Sequence, residues 1–185
     1  AGAYQESGRL DDAIPLFERN LEDSTRILGP HHPHTLTSHS KLAGAYQESG
    51  RLDDAIPLFE QTLEDRTRIL GPHHPDTLAS RNNLAGAYQA AGRLDEAIAL
   101  FEQTLKDFEN LLGPNHPLTL ASRHNLAGAY RDAGRLDEAI ALYEQTLEDS
   151  TRILGPHHPH TLASRHNLAG AYQESGRLDD AIPLF

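Results

Sequence analysis

The sequence repeats itself at a fixed interval. Tyr4, Tyr46, Tyr88, Tyr130 and Tyr172 stand 42 residues apart, as do Gly8, Gly50, Gly92, Gly134 and Gly176, and likewise Gly29, Gly71, Gly113 and Gly155. Residues 169–185, AGAYQESGRLDDAIPLF, are identical to residues 1–17 and 43–59. A unit of this length cannot bury its own apolar face, so the copies must stack and share a core. Residues 1–185 therefore read as a single array of four 42-residue repeats plus a partial fifth.

Each unit spells two helices. In the third copy TLASRNNLAGAYQAA, 77–91, carries Leu78, Leu84, Ala85 and Tyr88 on one side. Asp76 or His74 stands where its N-cap belongs, and Gly92 where a glycine ends a helix in the left-handed conformation. LDEAIALFEQTLKDFENLL, 94–112, follows with Ala97, Ile98, Phe101, Leu105, Phe108 and Leu112 at helical spacing. Asp95 and Glu96 suit the positive end of its dipole, and Gly113 as a C′ residue followed by Pro114 closes it. Pro15, Pro57 and Pro183 replace the alanines at 99 and 141. Because proline is tolerated near the first turn, the second helices are expected to start at Asp11 or Asp12 and their equivalents. The fold class is all-α, a solenoid of antiparallel helix hairpins.

Composition excludes several function classes. With no cysteine there is no disulfide, thiolate nucleophile or cysteine-ligated zinc. The net charge of −11 offers no footprint for nucleic acid and is repelled by an anionic membrane. No stretch approaches the roughly 18 apolar residues of a membrane span. No secretory signal opens the chain, and the cytoplasm is the default compartment. Fourteen arginines against two lysines, with abundant alanine, point to a GC-rich bacterial genome. The glycines follow the repeat and form no phosphate-binding loop, and no serine sits in a strained nucleophile turn. No enzyme, no cofactor and no metal are expected.

Two features could still carry chemistry. The stretch LGPHHPHTLASRHNLAGAY, 154–172, crowds His157, His158 and His160 around a proline. Across copies only His32-Pro33, His74-Pro75, His116-Pro117 and His158-Pro159 persist, while the neighbours drift among His, Asn, Asp and Leu. A repeated metal site needs three or four converging ligands in each loop. The persistent histidine is expected instead to cap or pack the following helix, with the proline in its first turn. Secondly, Gly2, Gly44, Gly86, Gly128 and Gly170 interrupt every first helix. Each costs about 1 kcal/mol relative to alanine. Close approach of two helices would explain them.

Leu84, Ala85, Ala87, Tyr88, Gly92, Asp95, Glu96, Ala97, Phe101 and Leu105 together resemble the tetratricopeptide repeat. The longer period, with its added LGPxHPxT loop, resembles the kinesin-light-chain-like form, also frequent in bacterial regulatory proteins. Two departures touch local packing. His39, Arg81, Arg123 and Arg165 replace the usual large aromatic of the first helix, and Asn20, Thr62, Thr104 and Thr146 the usual small residue of the second. The arginines could read acidic groups on a ligand or pair with carboxylates of adjacent helices.

The resemblance implies a curved superhelix whose concave groove is lined by the first helices and binds a peptide segment of a partner protein. It places Lys41 and Gln47, then Asn82, Asn83, Gly86 and Gln89, in that groove. It also places there His124, Asn125, Gly128 and Arg131, then His166, Asn167, Gly170 and Gln173. The mid-helix glycines would let a peptide backbone come close, a second explanation beside helix packing. Asn83, Asn125 and Asn167 would form a ladder of carboxamides able both to donate and to accept, or simply a solvated face. The alternative function is a structural spacer or self-assembling rod. The chain begins and stops inside helices, so it is expected to be a piece of a longer array whose uncapped ends stack end to end.

Protonating all twelve histidines would bring the net charge from −11 to +1, close to the isoelectric point of about 5.4. Solubility is therefore expected to be lowest at about pH 5 to 5.5, where self-repulsion vanishes. A series of saturation concentrations from pH 7 downward checks this, and a flat curve contradicts it.

Overall fold

A computed structural model describes residues 10–184. Gly2, Tyr4 and Gly8 lie outside the described residues. Two compact units are present, Ala1–Arg93 and Leu94–Phe185. Among the described residues the first unit holds α1 (Leu10–Leu28), α2 (Pro33–Glu48), α3 (Leu52–Leu70) and α4 (Pro75–Ala90). The second holds α5 (Leu94–Leu112), α6 (Pro117–Asp132), α7 (Leu136–Leu154), α8 (Pro159–Glu174), the short α9 (Leu178–Ala181) and a 3₁₀ turn, Ile182–Leu184. No strand occurs among the described residues. Within each unit consecutive helices pack on one another, and α2 also touches α4.

The histidine–proline pair starts α2, α4, α6 and α8. His32, His74, His116 and His158 are extended N-caps, and the following proline is the first helical residue. The Nδ1 of His74 accepts the backbone N–H of Asp76 at 3.2 Å, and the other three histidines do the same two residues on. This satisfies one of the orphan donors of the first turn, while proline has no donor to waste there. The cap choice between Asp76 and His74 thus falls to His74, and α4 starts at Pro75 rather than Thr77. The loop is closed from inside by a buried threonine. Thr35 and Thr119 donate at 2.8 Å to the carbonyls of Gly29 and Gly113. The matching hydroxyls of Thr77 and Thr161 are buried without a partner.

At their other ends the first helices close with a paired backbone motif. Gly50, at φ 78°, donates its N–H to Gln47, and Arg51 donates at 2.8 Å to Tyr46. That is the 5→2 and 6→1 pattern of a Schellman turn, repeated at Gly92, Gly134 and Gly176. The second helices end differently from expectation. Gly71 and Gly155 are the caps themselves, at φ 95° and 92° with ψ near 160°, a mirror-extended conformation open to glycine alone. Their position is one residue earlier than a C′ glycine.

The second helices also start earlier than proline suggested. α1 and α3 begin at Leu10 and Leu52, which puts Pro15 and Pro57 at the sixth helical residue. The ring is accommodated because position 57 is exposed, as are Ala99 and Ala141 at the same place in α5 and α7. The lost N–H is the one an α-helix would direct at the carbonyl of Asp53. Pro183 falls in the 3₁₀ turn.

Packing rests on small residues. Ala43, Ala45, Ala55, Ala85 and Ala87 in the first unit, and Ala97, Ala127, Ala129 and Ala139 in the second, are wholly buried. Phe59, Phe101 and Tyr143 are the large side chains sealed among them. Because the caps are local, replacing His74 by alanine should cost about 1 kcal/mol of unfolding free energy, while asparagine, a good cap, should retain most of it. Urea unfolding of the two variants checks this; equal losses would show that the imidazole packs rather than caps.

Candidate functional site

Each first helix is divided by its neighbours into a buried side and a side left to solvent. Tyr46, Tyr88, Tyr130 and Tyr172 face inward and tie successive repeats. Tyr46 donates its hydroxyl to Glu18 and Tyr88 to Glu60, both at 2.7 Å. Tyr130 and Tyr172 do the same to Glu102 and Glu144. Above each ring lies the arginine that ends the turn, with Arg51 4.2 Å from the centroid of Tyr46 and Arg93 3.9 Å from that of Tyr88. Burial, then the hydrogen bond to Glu102, pushes the Tyr130 hydroxyl up to about 12, and Tyr172 is raised to about 12 likewise. Both stay protonated donors at any ordinary pH.

The arginines of the first helices also turn inward. Arg123 is 1% exposed and spans two helices, bonding Asp149 of α7 at 2.8 Å and Glu109 of α5 at 3.3 Å. Burial alone would raise the Asp149 carboxyl, but hydrogen bonds from Arg152 and Arg123 outweigh it and hold it below the usual range. Arg81 is buried and donates to the carbonyl of Pro72, and Arg165 to that of Pro156. The expected pairing with carboxylates of adjacent helices is thus present at Arg123, whereas Arg81 and the half-buried Arg165 bond loop carbonyls. Where His39 replaces arginine, burial lowers its affinity for a proton, against the pull of Asp65.

The residues expected in the groove remain at the surface. Lys41, Asn83, His166 and Gln173 are exposed; Gln47, Asn82, Gly86, Gln89, His124, Asn125, Gly128, Arg131, Asn167 and Gly170 are half-buried. In the first unit the Gln47 amide nitrogen lies 3.9 Å from the point a Cβ on Gly86 would occupy, so α2 and α4 approach each other there. In the second unit Asn167 donates to His124 Nε2 at 3.0 Å, which requires the neutral imidazole. The carboxamides are therefore not equivalent rungs: Asn83 is exposed, Asn125 borders a cavity, and Asn167 is engaged with His124. The glycines are more telling. A Cβ on Gly44 or Gly170 would meet nothing within 4 Å, and on Gly86 only that flexible amide at ordinary contact distance. Close helix packing does not explain them.

The histidine-rich loops are structural. His158 Nδ1 is committed to capping, and its ring stacks on His160 with centroids 5.4 Å apart, as His32 does on His34. Among the described residues no group of three or more His, Asp or Glu side chains is gathered for a metal ion. No helix among them is long and apolar enough to cross a membrane.

Sequence reasoning overlooked one position. Ser24, Arg66, Phe108 and Ser150 occupy the same place on successive second helices. Ser150 borders a cavity of about 310 Å³ between α6, α7 and α8, beside His124 and Asn125. The signal was available: in near-identical copies, a site that alternates among serine, arginine and phenylalanine stands out.

His124 also sets a pH dependence. Burial, then His160 and Arg131, lowers its proton affinity below the ordinary 6.5, and its ring meets Tyr143 edge-on at 5.6 Å. The unfolded chain then binds the proton more readily, so stability is full above 6.5 and is lost as pH falls toward the lowered value. Replacing His124 by asparagine, the residue at 82, should flatten the loss of unfolding free energy between about pH 7.5 and 5.5. Parallel urea titrations at both pH values check this, and identical slopes would contradict it.

A family model for the tetratricopeptide repeat matches residues 1–67, 37–110, 81–148 and 123–185. Comparison with curated protein sequences gives no match. Among solved structures, the nearly identical TPR-like repeats of a kinesin-light-chain candidate from Podosopora anserina superpose with TM-score 0.85 at 39% identity, covering 98% of this chain and 86% of that one. A single-substitution variant of the same repeats gives TM-score 0.87 at 38% identity, with the same coverage. BtubC (BKLC) of P. vanneervenii shares the fold at 20% identity and TM-score 0.81, over 98% of this chain and 72% of that one. With family matches spanning the whole sequence, the chain belongs to the tetratricopeptide repeat family.

Proposed function

We propose that the chain is a non-catalytic interaction module, and that the groove walls formed by α2, α4, α6 and α8 receive a peptide segment of a partner protein. The mid-helix glycines carry this reading. Gly44, Gly86 and Gly170 each surrender about 1 kcal/mol of helix stability, yet space exists for a Cβ at every one. A position that costs stability and serves no internal contact is best explained by something that approaches from outside. Beside them stand groups suited to an extended backbone: Asn82, Asn83 and Gln89 on α4, Asn125 and Arg131 on α6, Gln173 on α8, and Lys41 and Gln47 on α2. The fold is compatible with such a role, since a Rap protein of the same architecture, with TM-score 0.79 at 13% identity, is described in complex with Competence and Sporulation Factor.

The period runs unbroken from residue 1 to 185. The copies are not identical where it matters: Ser40, Asn82, His124 and His166 share a wall position, as do Lys41, Asn83, Asn125 and Asn167. Such variation suits a reader of one ligand better than a spacer multiplied for length.

Substituting alanine at Gly44, Gly86 and Gly170 should raise stability by about 1 kcal/mol each while weakening whatever the groove binds. A peptide-display selection on the native chain, on this variant and on the Asn83/Asn125/Asn167→Ala variant checks both halves. A motif enriched on the native chain and lost on the variants supports the groove. Enrichment of nothing would replace it with the spacer.

A further inference from the structure

Every repeat has two connections, and they differ in chemistry. α2 and α4 both start at a Gly-Pro loop and finish at a Gly-Arg turn, so within the first unit the loops gather at one end of the hairpins and the turns at the other. α6 and α8 arrange the second unit in the same way. Each turn opens a second helix with a half-buried leucine and two carboxylates, as in Leu52-Asp53-Asp54 and Leu136-Asp137-Glu138. The turn arginine takes the second carboxylate, Arg51 bonding Asp54 at 2.7 Å and Arg135 bonding Glu138 at 2.9 Å. Asp53 and Asp137 are exposed and hold no ion pair among the described residues.

The loop ends carry the opposite chemistry. Nine of the twelve histidines fall at positions 31–34, 73–74, 116 and 157–160. One per loop is committed to capping, but His31, His73 and His157, each one residue before a cap, are exposed. Beside them Ile27, Ile69 and Ile153 are exposed too, and His31 and Ile69 border one small cleft. The carboxylates that face the loops are already answered by arginines. Arg26 bonds Asp23 at 2.6 Å, Arg68 bonds Asp65 at 2.5 Å with His31 Nδ1 3.2 Å from the same group, and Asp149 lies between Arg152 and Arg123. Glu109 faces Arg123 at 3.3 Å, and the Asp76 carboxylate lies 3.9 Å from His74 Nδ1. Imidazole gains its charge between about pH 8 and 5. Acidification therefore makes the loop ends cationic, while carboxylates at the turns stay ionised at about pH 6.

We propose that the loop ends are an interaction surface for the turn ends of a second copy of this chain, closed by protonation of the loop histidines. Charge complementarity carries the choice of partner. One repeat generates both ends, so within a unit the imidazoles and the free turn carboxylates recur at the same 42-residue step. Two copies set side by side can align successive rungs together. That matters because one exposed ion pair contributes little. Exposed Ile69 and half-buried Leu52 supply apolar contact between the charged groups. At pH 7 the net charge of −11 opposes any such approach, and the protons that build the rungs also remove that repulsion. Unlike ends meet, so every copy keeps one loop end and one turn end free, and association continues sideways instead of closing as a dimer. The groove takes no part in this contact.

Sedimentation velocity on the full chain at about pH 7.5 and about pH 6 tests the surface. The native chain should be monomeric at the higher pH. At the lower, its mean mass should rise with concentration past that of a dimer, and about 0.5 M salt should reverse the rise. Two variants divide the contact. His31/His73/His157→Asn installs the residue that the chain itself has at 115, where Asn115 accepts from Arg152 at 3.0 Å, so the loops should keep their fold. Asp53/Asp95/Asp137/Asp179→Asn neutralises the turns. Each variant alone should associate at least tenfold more weakly than the native chain. Mixed, each supplies the end the other lacks, and the pair should form a one-to-one complex of native-like affinity that stops at the dimer. Precipitation near the isoelectric point would show no such rescue. A mixture no tighter than either variant alone would overturn the proposal, as would a loop variant that associates like the native chain. A native chain that closes as a dimer, or stays monomeric at about pH 6, would overturn it too and leave the groove reading untouched.

Discussion

The structure depends on one tyrosine per repeat. Tyr88 reaches Glu60 on the preceding second helix, lies beneath the guanidinium of Arg93, and lends its own carbonyl to the Arg93 backbone N–H at 2.9 Å. One residue thereby joins the previous repeat, the end of its own helix and the turn into the next. The turn geometry follows, because Arg93 can lie over the ring only when Gly92 takes its positive φ of 72°. The acidic composition finds a structural use here as well: Tyr46, Tyr88, Tyr130 and Tyr172 each donate to a glutamate, and burial raises the hydroxyls of Tyr46, Tyr130 and Tyr172. With the stacking secured on this side, the opposite side of the first helix is released from structural duty.

That release is what makes the groove residues interpretable. A buried charge such as Arg123 is held by two carboxylates because leaving it unpaired would be costly, and its identity is dictated from inside. Gly44 and Gly170 are dictated by nothing inside. Between these extremes stands His124, whose imidazole accepts from Asn167, abuts Tyr143 and still borders open space. It belongs both to the packing and to the wall, so a ligand at this place would sense the state of the fold and the fold would sense the ligand.

The periodicity made the helices legible almost to the residue, since α5 runs from Leu94 to Leu112 as its apolar spacing required. The His-Pro caps were legible because they recur while their neighbours drift. Pro57 located the start of α3 to within one residue, Leu52 in place of Asp53. The fate of Arg123 stayed open because its partners, Glu109 and Asp149, sit on different helices, and only packing brings them to it. The reason for the glycines was hidden for the opposite cause: the informative fact is empty space, which no residue type encodes. Ser150 was passed over because a serine at a helical position looks like a solvated surface, whereas it is 1% exposed.

Near-identity of the copies is usually taken as a sign of recent multiplication for length. Here it sharpens the differences. When most of a 42-residue unit is repeated, the substitutions that remain have been tolerated against a constant background, and their physical consequences can be compared directly. Serine and arginine at the same place on the second helix leave the stacking tyrosines and the caps unchanged, while the space is about 50 Å³ beside Arg66, Thr37 and Asp76 and about 310 Å³ beside Ser150, Ala121 and His160. A solenoid can therefore alter the space between its helices without altering how they stack. The framework is specified by tyrosine, glycine and the histidine cap, which leaves the remaining surface positions free to vary between copies.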